Sequence, residues 1–210
     1  MKPGRKRDPQ LHEARKQQIL LAARILFTEK GFEQTSVQDV VRRAGSSTGN
    51  LYFYFPNKEA LLQGVTREIM WEIRENAERL LPLAQDGWQQ LAYSLWALVQ
   101  GLYQNAGMAR TILNPFSHAT IREETLAFYR QAMLHLLESH PDWAPQLDPQ
   151  WVTLAFQGGL AMIFEKVLFE DLSNQPESVW RFIVLWNFRA LGCSDPEKYC
   201  LAPPEKAANK

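Results

Sequence analysis

Only two of the 210 residues are cysteine, Cys193 and Cys200, and both lie near the C-terminus. They form no metal-like cluster, and they read as incidental thiols of a reducing compartment in preference to a structural disulfide. Long apolar runs are also missing, and none approaches the roughly 18 uncharged residues that a membrane span needs. The basic start, Lys2, Arg5, Lys6 and Arg7, leads into no apolar stretch, so no secretory signal is read there. Together these absences give the expectation of a cytoplasmic protein with no membrane partner. Alternation of period two is absent over any useful length, which excludes a sheet and predicts an all-α chain. No Gly-rich phosphate loop and no nucleophile motif occurs. His135 and His140 are five apart and fall off a common helix face, which argues against a metal pair. Neither a metal nor a cofactor is therefore expected, and an enzyme using Glu165 or His118 as a general base has no supporting constellation.

Net charge is lacking too, but the zero hides a division. Residues 1–60 hold eleven Lys/Arg against six Asp/Glu, and the rest of the chain holds twelve against seventeen. A basic head on an acidic body is the pattern expected when one part meets phosphate and the other does not, although chance scatter explains charge alone equally well. With 46% hydrophobic residues the chain can bury a real core and form one or two domains.

The punctuation predicts helices throughout. Residues 1–14 read as a flexible basic arm. Apolar positions 19, 22, 23, 26 and 27 have helical spacing, and Gly31 ends that helix. Val37, Val40, Val41 and Ala44 follow at i, i+3, i+4 and i+7, with Thr35 or Ser36 as the N-cap and Gly45 as the stop. A short helix from about Ser47 to Phe53 is capped by Ser46 or Ser47. Pro56 ends it, and Asn57 caps a helix from Lys58 toward residue 80. Breakers then divide helices near 88–104, 108–113, 118–139, 149–170 and 176–191, and the tail 193–210 is expected to fray.

Two short helices joined by a tight glycine corner make a helix-turn-helix. In the second of them Leu51 and Phe55 are four apart and can pack inward. Ser47, Thr48, Gly49 and Asn50, small and polar, occupy the end that can enter a major groove and approach base edges. The segments ILLAARILFTEKGFEQTSV, RRAGSSTGNLYFYF and PNKEALL, within Ile19–Val65, resemble the DNA-binding domain of TetR-type transcriptional regulators. The resemblance implies a three-helix DNA-binding domain over 15–62, with the fourth helix linking onward to about residue 80. A helical effector-binding and dimerisation domain then covers 63–192. It implies that Gln38 can reach a base edge and that Thr48, Gly49 and Asn50 occupy recognition positions. Tyr52, Tyr54 and Lys58 would hold phosphates, and Thr35 or Ser36 would add a hydroxyl contact. Half-buried packing is the alternative for Tyr52, and Phe53 reads as core. Arg42 and Arg43 read as a solvated face. The residue after the corner glycine is Ser46 where the family usually has an apolar one, and this serine is a candidate cap for the recognition helix.

All seven tryptophans follow residue 60. By spacing, these and the neighbouring aromatics are more often core than pocket lining. The resemblance implies a small-molecule receptor, with Trp96, Phe116, His118, Tyr129, Met162 and Glu165 as candidate contacts and an apolar or aromatic effector as the default. Arg122, Asn114 and Tyr93 are further polar candidates. Residues 177–191 are apolar almost all round and require burial on every side, most simply against a second copy. The resemblance implies a homodimer through helices 149–170 and 176–191, with a palindromic double-stranded operator and release of repression by the effector. A DNA-binding regulator answering to a protein partner, or acting without a small ligand, is the alternative.

Overall fold

The computed structural model describes residues 9–114, 118–170, 172 and 175–204. Among them there is no strand. The helices are α1 (Pro9–Lys30), α2 (Val37–Arg43), α3 (Thr48–Tyr54), α4 (Lys58–Leu80), α5 (Gly87–Gln104), α6 (Ala106–Leu113), α7 (Ala119–Ser139), α8 (Pro149–Phe169) and α9 (Pro176–Ala190). The chain divides into two compact units, residues 1–68 and 69–210, and α4 runs from the first into the second.

In the first unit α1 buries Ile19, Leu20, Ala22, Ala23, Leu26 and Phe27 along one face and packs on α2 and α3. It ends at Gly31, whose φ of +84° suits a residue without Cβ and whose N–H reaches the Phe27 carbonyl at 3.0 Å. The helix starts earlier than expected. Residues 9–14, read as part of a flexible arm, form its first turns, and Pro9 suits the leading position because its missing N–H would have no helical partner.

The second unit is built on α5, whose inward face from Leu91 to Leu102 is almost wholly buried. It packs against α9, where the Trp180 Nε1–H donates to the Ala92 carbonyl at 2.8 Å and the Trp180 ring meets the edge of Trp96. A buried indole needs such a partner for its one donor. On the other side α8 packs on α6 and α7 with Leu160, Phe164, Val167 and Leu168 inward. The Arg110 Nε–H donates to the Leu168 carbonyl at 2.8 Å and ties α6 to the end of α8.

Three expectations change. By length and composition α8 is apolar enough to cross a membrane, contrary to the reading that no segment comes close. Within the fold its buried residues serve the core between α6 and α7, and the rest of its apolar surface faces outward. Next, α9 is not buried on every side within one chain: Val179, Trp180, Ile183, Val184 and Phe188 are inward, while Phe182 and Trp186 stack on each other outside.

The third change concerns the tail. Residues 193–204 pack through a 3₁₀ turn at Pro196–Cys200 instead of fraying, and 205–210 lie outside the described residues. The Tyr199 hydroxyl donates to Asp86 Oδ2 at 2.9 Å, and Asp86 also caps α5 by accepting from the Gln89 N–H. Burial first, and the Asp86 carboxylate second, push the Tyr199 hydroxyl up to about 12, so it remains the donor near neutrality. Cys193 and Cys200 are free, and burial raises both thiols, which keeps them protonated. Tyr199→Phe deletes one hydrogen bond to a charged acceptor. It is expected to cost about 1.5–3 kcal/mol in urea unfolding of the full chain; an unchanged midpoint would show that the tail adds nothing to the second unit.

Candidate nucleic-acid interface and ligand cavity

Short polar side chains set the geometry of the helix-turn-helix. Ser36 is the N-cap of α2: its hydroxyl accepts from the Asp39 N–H at 3.1 Å, and the Asp39 carboxylate accepts from the Ser36 N–H at 3.1 Å. These hydrogen bonds to Ser36 hold the Asp39 carboxyl below its ordinary value. The corner turns at Gly45 with φ +56°, and the Ser46 N–H closes it on the Val41 carbonyl at 3.1 Å. Ser47, not Ser46, caps α3, accepting from the Asn50 N–H at 3.1 Å. Leu51 and Phe55 are then driven into the core of the unit.

With that inner face fixed, α3 turns Ser47, Thr48, Gly49 and Tyr52 to solvent, Asn50 is half-buried, and Gln38 is exposed near the start of α2. Tyr52 is 48% exposed. Phe53, read as core, is 56% exposed and makes ring contacts with His12 and Tyr54 at the surface. Lys58 opens α4, which Asn57 caps through the Ala60 N–H at 2.7 Å. The Lys58 ammonium donates to the Glu33 carbonyl at 3.3 Å and lies 4.2 Å from the centre of the Phe32 ring, so it is held near the surface. Arg43 pairs with Glu29 and Arg42 lies near Asp39, both in solvent.

Three of the residues expected to contact phosphate have their hydroxyls bonded within the protein. Thr35 is buried, and its hydroxyl donates toward the carbonyls of Gly31 at 2.8 Å and Leu26 at 3.2 Å. The Ser36 hydroxyl donates to Asp39 Oδ2 at 2.8 Å. The Tyr54 hydroxyl donates to the His12 carbonyl at 3.1 Å, under the edge of the His12 ring. A hydroxyl has one proton to donate, and in this arrangement each of the three is donated to an acceptor of the protein itself. The remaining outward set is Gln38, Ser47, Thr48, Gly49, Asn50, Tyr52 and Lys58.

In the second unit a cavity of about 800 Å³ lies among α4, α5, α7 and α8. That volume suits a small molecule. Of the five candidate ligand contacts among the described residues only Tyr129 lines it. Trp96 is committed to the core against Trp180, Met162 is exposed on α8, and Glu165 is half-exposed outside the lining. His118 precedes α7 with a left-handed backbone, and Phe116 lies outside the described residues. Tyr93 is buried with its hydroxyl bonded by Gln89, and neither Arg122 nor Asn114 is among the lining. The lining residues missed from the sequence repeat along helix faces, Ile73 and Ala77 on α4 with Leu81 just past its end, and Leu91, Leu95 and Leu98 on α5. That spacing marks a buried stripe but does not distinguish a wall of a cavity from a filled core.

Gly49 has no role in packing. A Cβ built on it meets nothing within 4 Å, and its φ is not in the left-handed range. A glycine inside a helix costs about 0.5–1 kcal/mol relative to alanine, so the fold alone gives no reason for it. Gly49→Ala is expected to leave stability equal or higher by that amount in thermal unfolding. It is expected to weaken duplex binding in fluorescence anisotropy, because the added methyl stands where α3 would meet bases. Unchanged binding would remove α3 from the interface.

Residues 19–65 match the family model described as bacterial regulatory proteins, tetR family. The HTH-type transcriptional regulator HbdR of Aromatoleum sp. (strain CIB) is 31% identical over 90 residues, 43% of this chain and 39% of that protein. The A-factor receptor protein of Streptomyces griseus is 28% identical over 172 residues, 79% of this chain and 61% of that protein. The match thus spans about two-fifths to three-fifths of the length of these curated relatives. Among solved structures, the fatty acid degradation regulator FadR from Bacillus halodurans has the same fold. Its TM-score is 0.70 at 20% identity, with 84% of this chain and 98% of that chain covered. The whole helix-turn-helix thus lies inside the segment that matches the tetR family model, and the fold along the chain is that of the solved regulator.

Proposed function

We propose that the protein is a sequence-specific DNA-binding regulator of transcription, a dimeric repressor released from a palindromic operator by a small, largely apolar effector. The observation that carries this reading is the outward face of α3, where Thr48, Gly49, Asn50 and Tyr52 are presented by a helix anchored through Leu51 and Phe55. Gln38, Thr48 and Asn50 read base edges, Tyr52 and Lys58 hold phosphates, and Ser47 caps the helix that carries them. The other tyrosine of the pair, Tyr54, has the internal task of fixing the start of α1 to the end of α3. The work is done in the cytoplasm, where bacterial DNA is.

Outward apolar surface supports the dimer. Trp151, Leu154, Met162 and Phe169 are exposed along α8, and Trp186 on α9 is 66% exposed with Phe182 stacked on it. On α8 Gly158 and Gly159 have open space where a side chain would be, which lets another helix approach closely. Exposed apolar groups of this size mark an interaction surface. A twofold dimer would present two copies of α3 to half-sites separated by about one turn of duplex, roughly 34–36 Å, or a multiple of it. The effector reading is supported by the cavity and by the names of two relatives, one a receptor and one a fatty acid degradation regulator.

Trp186→Glu tests the assembly without touching the core, since the side chain is already outside. It is expected to convert the dimer to a monomer in sedimentation velocity and to lower affinity for the palindrome by about 10²–10⁴-fold through loss of avidity. An undiminished dimer would move the interface off α9, and a monomer with full operator affinity would overturn the two-headed mode of binding.

A further inference from the structure

The cavity sorts its polar groups by position. Leu91, Leu95, Leu98, Phe156 and Leu160 give it apolar walls, and the charged groups among its lining are Arg74, Glu78, Glu138 and the titratable His135. The Arg74 guanidinium already donates to Glu78 at 2.7 Å, and His135 Nδ1 lies 4.0 Å from a Glu138 oxygen. All four of these side chains are more than half exposed, so they stand toward solvent and the buried part of the lining carries no charge. A charged head group drawn between the apolar walls would lose hydration without gaining a buried counter-charge, whereas an uncharged ligand meets no such cost.

One donor belongs to the interior. The Tyr129 ring is partly exposed, but its hydroxyl is buried and donates to Met70 Sδ at 3.4 Å. A thioether is a weak acceptor. Burial pushes the hydroxyl's pKa upward, so it stays a neutral donor. Met70 is on α4 and Tyr129 on α7, so the bond ties these two helices within the second unit.

We propose that the cavity takes an uncharged, largely apolar molecule bearing a carbonyl oxygen, and that this oxygen accepts the Tyr129 hydroxyl in place of Met70. This rests on the reading of the cavity as the effector site and adds the ligand's chemical class, its anchor and the tie between α4 and α7 that binding breaks.

The test is calorimetric titration of the full-length protein with methyl octyl ketone, decanoate and decyltrimethylammonium, all below micelle-forming concentrations. The ketone is expected to bind saturably, with both ions at least about tenfold weaker, the scale of losing one hydrogen bond or adding one poorly paired charge. Tyr129→Phe keeps the ring and is expected to weaken the ketone about three- to tenfold. Ala132→Trp, at an exposed lining position that the core does not need, is expected to abolish binding by filling the space.

An ion binding as tightly as the ketone overturns the charge selection, and equal ketone affinity for Tyr129→Phe overturns the anchor. No binding by any probe, or binding indifferent to Ala132→Trp, overturns the site. The broader reading fails separately. Ketone binding as described without operator release sinks the effector role and leaves this inference standing, and release by decanoate alone does the reverse.

Discussion

The burial of Leu51 and Phe55 is the constraint on which the reading surface depends. A helix of seven residues such as α3 does not persist alone, because so few hydrogen bonds cannot offset the cost of nucleation. Two apolar side chains four apart, both buried, fix its axis and its rotation together. The fit around Phe55 is close: a Cβ on Gly64 would stand 2.9 Å from its ring and 2.8 Å from Leu20, so α4 packs tightly against both. Because the inner face alone holds the helix, the outer face is free of structural duty. That freedom is what allows Thr48, Gly49, Asn50 and Tyr52 to be chosen for contact with something else.

The second unit divides its apolar groups in the same way. Trp180, Ile183 and Phe188 build the core with α5, while Phe182 and Trp186 on the same helix face out. A single helix therefore has one face that holds the chain together and one that calls for a partner. Between α4, α5, α7 and α8 the packing leaves a cavity where hydrophobic side chains line space instead of filling it. Unfilled apolar space forgoes dispersion contacts, so a cavity of this size is a cost to stability that a bound ligand can offset.

Helix ends and the corner were legible in the sequence because their physics is local. Gly31 and Gly45 have positive φ, and Ser36, Ser47 and Asn57 accept from N–H groups three residues on. The core face of α1 was legible for the same reason, as a spacing of 3.6. Side-chain partners brought in by the fold are not legible in the same way. Thr35 looks like any surface threonine until the Leu26 carbonyl is placed above it, and Tyr54 is claimed by His12, 42 positions away. The tail was read as frayed because Tyr199 finds Asp86 across 113 residues. The cavity walls are hidden for a further reason: leucines at helical spacing read alike whether the space beyond them is empty or filled.

The central claim is that two copies of α3 read one duplex in a defined sequence. Selection from a pool of random double-stranded DNA by the full-length protein, followed by sequencing of the bound fraction, measures it most directly. The account predicts enrichment of an inverted repeat whose half-site centres lie about one helical turn, or a multiple of it, apart. Retention of DNA without any enriched sequence, or enrichment of a single unrepeated site, would contradict it.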